Sequence, residues 1–312
     1  MSDPAVSIND LRVSYGRFEA VRGVSFQIPR GEVFGFIGPN GAGKSTTIRV
    51  LATLQRKFLG HVSVCGIDVR SDPQKVRESI GYMPDFFGVY DDLTALEYLH
   101  FFAAAYKLPV SSRHSVIDDV LTLTEMTHKA KEPVDGLSRG MKQRLALARV
   151  LLHDPDVLLL DEPASGLDPR ARIEVRELLK ALQEMGKTIL ISSHILHELS
   201  QLCTRIGIIE TGELVAQGSL NDIFRQLDLK RVVHIRVEMA SDELMERIQR
   251  ISGVDRVEPG PDRWGVRLRE DELSIADFHE ALVKERVRLT MFQPEAMDME
   301  TAFMKLTEGK TA

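Results

Sequence analysis

Residues 33–46 read VFGFIGPNGAGKST, an apolar run that breaks into a glycine loop and leads into the amphipathic TIRVLATLQ. Gly38, Gly43, Lys44 and Ser45 satisfy the spacing G-x-x-x-x-G-K-[ST], with a strand signal before it and a helix signal after it. Glycines let backbone N–H groups turn inward around phosphate oxygens, the Lys44 ammonium reaches toward the β and γ oxygens, and the Ser45 hydroxyl suits magnesium. A loop of this kind commits the chain to an α/β fold, because it works only between the C-terminal end of a strand and the N-terminus of a helix. A second GKT at 186–188 precedes its strand, and Ala181 stands where its first glycine belongs, so it carries no role.

Two more apolar runs end in polar chemistry: DVLLLDEP (156–163) and KTILISSH (187–194). Runs without polar alternation predict strands covered on both faces, hence a parallel sheet. TALEYLHFFAAAYKL (94–108) and SVIDDVLTLTEM (115–126) carry helical periodicity without strand signal, which predicts a helical subdomain inserted over about residues 86–154. Asp161 and Glu162 then fall at the C-terminal edge of the sheet, where doubly wound folds bind ligands. Asp161 suits magnesium and Glu162 a general base on water; a lone DEP would only end a strand, and the phosphate loop upstream favours the chemical reading. His194 also ends a strand, and spacing alone leaves a γ-phosphate contact and a structural role equally open. His194 and His197 lack a third ligand at zinc spacing.

LSRGMKQR (137–144) places a hydroxyl residue, then a glycine, at the start of a helical pattern. Unpartnered N–H groups and the helix dipole make such an end receptive to anions. It lies far along the chain from the phosphate loop, which raises the question of whose phosphate it serves. Past residue 227 the pattern becomes strand, helix, strand, strand, helix, strand, the order of a ferredoxin-like split unit, and predicts domains at 1–227 and 228–312. DMETAFMKLTEG closes the chain as a predicted amphipathic helix.

Composition narrows the partners. With 312 residues, 43% apolar, the chain is long enough for more than one unit. A net charge of -6 lacks the basic stripe of a duplex-DNA binder, so no nucleic acid partner is expected. No charged leader with an apolar core opens the sequence and no run approaches the ~18 apolar residues of a membrane span, which predicts a cytoplasmic protein. Cys65 and Cys203 are isolated and read as buried thiols in a reducing compartment.

In this order the motifs resemble the nucleotide-binding subunit of an ATP-binding cassette (ABC) transporter over about residues 5–225. GPNGAGKST, with Asn40, Gly41 and Thr46, resembles the Walker A loop, and VLLLDEP resembles the Walker B strand with its catalytic glutamate. SGLD (165–168), ending in Asp168, resembles the D-loop, His194 the switch histidine and LSRGMKQR the family signature. Tyr15, in VSYG, matches the aromatic position that stacks on adenine. The resemblance implies a P-loop NTPase cassette with a parallel-sheet core and an inserted helical subdomain, ATP and magnesium as cofactors, and ATPase activity. It implies a head-to-tail dimer, in the simplest case a homodimer, where Ser138 and Gly140 of one chain serve the γ-phosphate held by the other. It also implies a separate integral membrane permease, with the cassette peripheral on the inner face of the cell membrane.

Two positions depart from the pattern. Arg139 replaces the first signature glycine, adding a charge near the expected γ-phosphate. Asp85, in GYMPD, stands at the Q-loop position where glutamine is usual; it is shorter but still a ligand for magnesium or its water. The stretch after Asp85 resembles exporter-type cassettes, and Phe86, Phe87, Tyr90 and Leu93 suggest an apolar groove for a partner helix or ordinary subdomain core. With METAFMKLTEG at the end, it resembles cassettes paired with membrane proteins that export drugs, lipids or polysaccharides. The competing class is a soluble cassette ATPase acting on ribosomes or DNA, which would carry two cassettes or long insertions. A GTPase is opposed by the lack of N-K-x-D.

Overall fold

The computed structural model describes residues 3–85, 88, 92–195, 199, 201–219, 222–223, 231–269 and 272–295. Phe86, Phe87, Tyr90, His197, the expected boundary at 227 and the closing helix lie outside the described residues. The chain divides into two compact units, residues 1–220 and 221–312.

The first unit holds two sheets. An antiparallel sheet, for which the apolar runs above give no forecast, joins β1 (Val6–Tyr15), β2 (Phe18–Ile28), β4 (Leu59–Val64) and β5 (Ile67–Asp68) in the order β2-β1-β4-β5. The larger sheet uses β3 (Val33–Ile37), β6 (Ile80–Met83), β7 (Val157–Asp161), β8 (Thr188–Ser193), β9 (Arg205–Glu210) and β10 (Glu213–Gly218), in the order β10-β9-β3-β8-β7-β6. All its neighbouring pairs are parallel except β9 with β10. Every residue of β3, β7 and β8 is buried, which is why these three runs show no polar alternation.

Helix α1 (Lys44–Leu51) follows β3 directly, and its Ile48, Val50 and Leu51 pack with Phe26, Phe34, Phe36, Leu159 and Leu190 in a core shared by both sheets. Phe26 and Phe34 stack with centroids 4.9 Å apart. Each such side chain withdrawn from water contributes about 1.5–3 kcal/mol. Helix α2 (Pro73–Ser79) precedes β6. Between β6 and β7 lie α3 (Ala95–Ala105), α4 (Val110–Leu123) and α5 (Arg139–Leu151). Helix α3 starts where Thr94 and Glu97 cap each other reciprocally, and α4 begins five residues earlier than SVIDDV suggests, directly after Pro109. Helix α6 (Pro169–Glu184) links β7 to β8.

The second unit runs β11 (Arg231–Val237), α7 (Asp242–Gln249), β12 (Val254–Pro259), β13 (Trp264–Leu268), α8 (Ile275–Lys284) and β14 (Leu289–Pro294), with sheet order β12-β13-β11-β14. Its pairs are all antiparallel, and the core gathers Val233, Ile235, Trp264, Val266, Phe278 and Leu282. Among the described residues no helix is long and apolar enough to cross a membrane.

Candidate functional site

Strand order does the assembling. Because β8 lies between β3 and β7 and all three run the same way, their C-terminal ends stand side by side. Ile37 pairs with Ser193, and Asp161 with Ser192, so the phosphate loop, the two carboxylates and His194 leave the sheet at one level. Glycine is required at two points of the loop: a Cβ on Gly38 would lie 2.2 Å from the Ile209 carbonyl oxygen, and Gly43 has φ 104° with its would-be Cβ 2.6 Å from the Ala20 carbonyl oxygen. Gly43 caps α1 without a side-chain acceptor, so the first amides of α1 face the loop.

Lys44 is buried, and its Nζ donates to the Gly38 carbonyl at 2.6 Å and the Pro39 carbonyl at 3.2 Å. It also stands 3.5 Å from Glu162 Oε1. The other Glu162 oxygen meets His194 Nδ1 at 2.8 Å. Glu162 itself has φ 51°, a left-handed conformation unusual outside glycine, and its N–H donates to the Ser192 hydroxyl at 3.0 Å. Asp161 is buried and accepts from the Ser192 hydroxyl at 2.5 Å. Burial, then the Asp161 charge, pushes the nearby Tyr82 phenol up to about 12.

Tyr15, Asn40, Gly41, Gly43, Lys44, Ser45, Thr46, Asp85 and Glu162 line one cavity of about 260 Å³. Phe18, which the motifs above do not include, lines it too, exposed across the β1–β2 turn from Tyr15. The signal was there in YGRF, two aromatics flanking a tight turn. A larger cavity of about 400 Å³ beside α6 is mostly apolar and holds none of the phosphate-loop residues.

Ser138, Gly140 and Asp168 do not line the phosphate-loop cavity. Ser138 caps α5, its hydroxyl accepting from the Met141 N–H at 3.3 Å. Asp168 caps α6, one carboxylate oxygen accepting from Arg170 and Ala171 N–H at 3.0 Å each. The Arg139 guanidinium lies against Gly166 of the SGLD loop. Cys65 is half-buried, whereas the Cys203 thiol is enclosed against Gly35 of β3, and burial raises both thiols.

The family model described as ABC transporter matches residues 21–165. Over 313 aligned residues, 97% of each chain, the protein is 32% identical to the linearmycin resistance ATP-binding protein LnrL of Bacillus subtilis. The chain belongs to the ABC transporter family. The cassette is also 38% identical to the Nod factor export ATP-binding protein I of Ralstonia nicotianae over 71% of this chain and 69% of that one. A solved dimeric bacterial ABC transporter cassette superposes with TM-score 0.63 at 26% identity, over 69% of this chain and 98% of that one. The fold is that of the ABC ATPase, and the chain is an ATP-binding, ATP-hydrolysing subunit of a transporter.

The donors present fit ATP with magnesium. Gly38 and Gly43 keep the loop clear of Cβ atoms, and buried Glu162 Oε1 has no hydrogen-bond partner. Among the described residues no three His, Cys, Asp or Glu side chains cluster as a metal site, so magnesium would rest on Ser45 and Asp161 together with phosphate oxygens.

Proposed function

We propose that two copies of this chain bind ATP head to tail and that its hydrolysis drives export through a separate integral membrane permease, with the cassette peripheral on the inner face of the membrane. The observation that carries this reading is the division of the site: the phosphate-loop cavity gathers residues 40–46 of the Walker A loop, Asp85 and Glu162 but neither Ser138 nor Gly140. A capped helix N-terminus away from its own chain's phosphate loop suits a phosphate held by a second chain. The relatives named for linearmycin resistance and for Nod factor export support the outward direction. Neither name points to a factor acting on ribosomes or DNA, and that reading is not carried forward.

In this reading the backbone amides of Asn40, Gly41, Gly43 and Thr46 wrap the phosphates and Lys44 exchanges the Gly38 carbonyl for phosphate oxygens. Ser45 and Asp161 would hold magnesium, with Asp85 at the cavity wall as a further oxygen ligand for the ion or its water. Magnesium would neutralise charge on the phosphates. Tyr15 and Phe18 offer the adenine an aromatic clamp. Glu162 takes a proton from the attacking water, and His194, hydrogen-bonded to it, fixes its direction. Asp168 serves the site by capping α6.

The test is light scattering on Glu162→Gln protein with and without ATP and magnesium, where the expected result is a shift from monomer to dimer. Mixing Ser138→Arg chains with Lys44→Ala chains should restore hydrolysis above either alone, because such a pair keeps one complete site. A monomer throughout, with no activity in the mixture, refutes the head-to-tail reading.

A further inference from the structure

Gln143 sits on α5, five residues beyond the Ser138 cap, and is 5% exposed. A buried primary amide is retained only where its hydrogen bonds are met. Its Nε2 donates to the Pro163 carbonyl in a short hydrogen bond. Pro163 directly follows Glu162, and its ring fixes φ, so a hold on the Pro163 carbonyl passes to Glu162 through a stiffened link. That link matters because Glu162 holds a left-handed backbone, a strained conformation that persists only where surrounding contacts enforce it.

The enforcing contacts come from β8, from the turn itself and from α5. From β8, the Ser192 hydroxyl and carbonyl accept the Glu162 N–H at 3.0 and 3.2 Å. Within the turn, the Ser165 N–H donates to the Glu162 carbonyl at 3.0 Å. From α5, Gln143 holds Pro163, and the Arg139 guanidinium covers Gly166, where a Cβ would lie 2.4 Å from Cζ. The residue that departs from the signature pattern is therefore seated on the loop behind Glu162, and only glycine at 166 leaves it room.

We propose that Gln143 is a positioning residue for Glu162, acting through the Pro163 carbonyl. Resting on the head-to-tail reading above, this makes α5 a mechanical link: the helix that offers Ser138 to a second chain's nucleotide also sets the angle of its own chain's general base. Nucleotide seated at one site of the pair is then felt at the carboxylate of the other.

The experiment compares wild type, Gln143→Met, Glu162→Gln and the double variant in steady-state and single-turnover ATP hydrolysis, with melting curves of each. Methionine keeps length and bulk but removes the donor. Gln143→Met should lower kcat about tenfold or more while KM for ATP stays within about twofold, since a small misplacement of a base is costly and nucleotide contacts are untouched. In the Glu162→Gln background the same change should cost about twofold or less, because the group it positions is already gone. An unchanged kcat, or an equal loss in both backgrounds, overturns the proposal. Should Gln143→Met melt below assay temperature, Gln143→Asn decides: a donor one methylene short should lower kcat with KM retained, and an unaltered kcat overturns the role. The head-to-tail reading fails separately, by a chain that remains monomeric with ATP.

Discussion

The two units of this chain use opposite strategies. In the second, described by β11 to β14 with α7 and α8, the inner strands β11 and β13 turn alternate residues into the core, and the helices take serine caps at Ser241 and Ser274. In the first, all the fully buried polar and charged residues among those described are found, including Lys44, Gln143, Asp161, Ser192 and Ser193. Glu162 adds a left-handed backbone in the middle of them. A unit that keeps to the local rules of an apolar core is built for stability. One that breaks them at adjacent strand ends has done so for chemistry, and the rest of its core offsets the cost.

Three substitutions sharpen or break this contrast. The largest effect is expected from Phe278→Ala, which empties the core of the second unit and should cost it about 3–5 kcal/mol. ATP turnover per active molecule should persist, so a calorimetric scan would show one transition moved and phosphate release kept. If turnover collapses together with that transition, the division of labour is wrong. Next comes Lys44→Ala, which removes the buried ammonium between the Gly38 carbonyl and Glu162 and should cut kcat by ~10²–10³-fold. The second unit's transition should not move.

The smallest is Thr94→Ala at the start of α3, with an expected loss of ~1 kcal/mol from the missing cap. Its pH dependence has a fixed sign. The Thr94 backbone N–H and hydroxyl both donate to Glu97 and hold its carboxyl below the usual carboxylate range. A depressed carboxylate pKa stabilises the fold above the unfolded value, and that contribution disappears as pH falls through the folded one. Urea melts at neutral pH and at about pH 4 should therefore show the Thr94→Ala deficit shrinking in acid. A deficit that grows in acid would remove Glu97 from the cap.

Much of this was legible beforehand, for reasons that differ by element. The phosphate loop was readable because Gly38 and Gly43 meet backbone oxygens that tolerate no Cβ, a constraint no other residue type satisfies. The elements of the second unit were readable where they carry their own signal, as in the alternation of β11 and β13 and the helical period of α7 and α8. The antiparallel sheet that carries Tyr15 was not forecast, and Phe18 went unnoticed with it, since an exposed aromatic gains meaning only from the cavity it lines. Arg139 was expected near a phosphate; its rest against Gly166 depends on how closely α5 approaches the SGLD loop.

The sequence by itself determined the chemistry on offer: a cradle for phosphate, two carboxylates after a buried strand, a histidine after another, and a capped helix held apart. Those are local facts, set by side-chain type and by spacing along the chain. The tertiary structure decided which of them meet. Placing β8 between β3 and β7 joins Lys44, Glu162 and His194 and leaves Ser138 outside the cavity that Lys44 and Glu162 line. It also brings Gln143 to the carbonyl behind Glu162. Strand order depends on packing free energy summed over both faces of the sheet, and no single stretch of residues contains that sum.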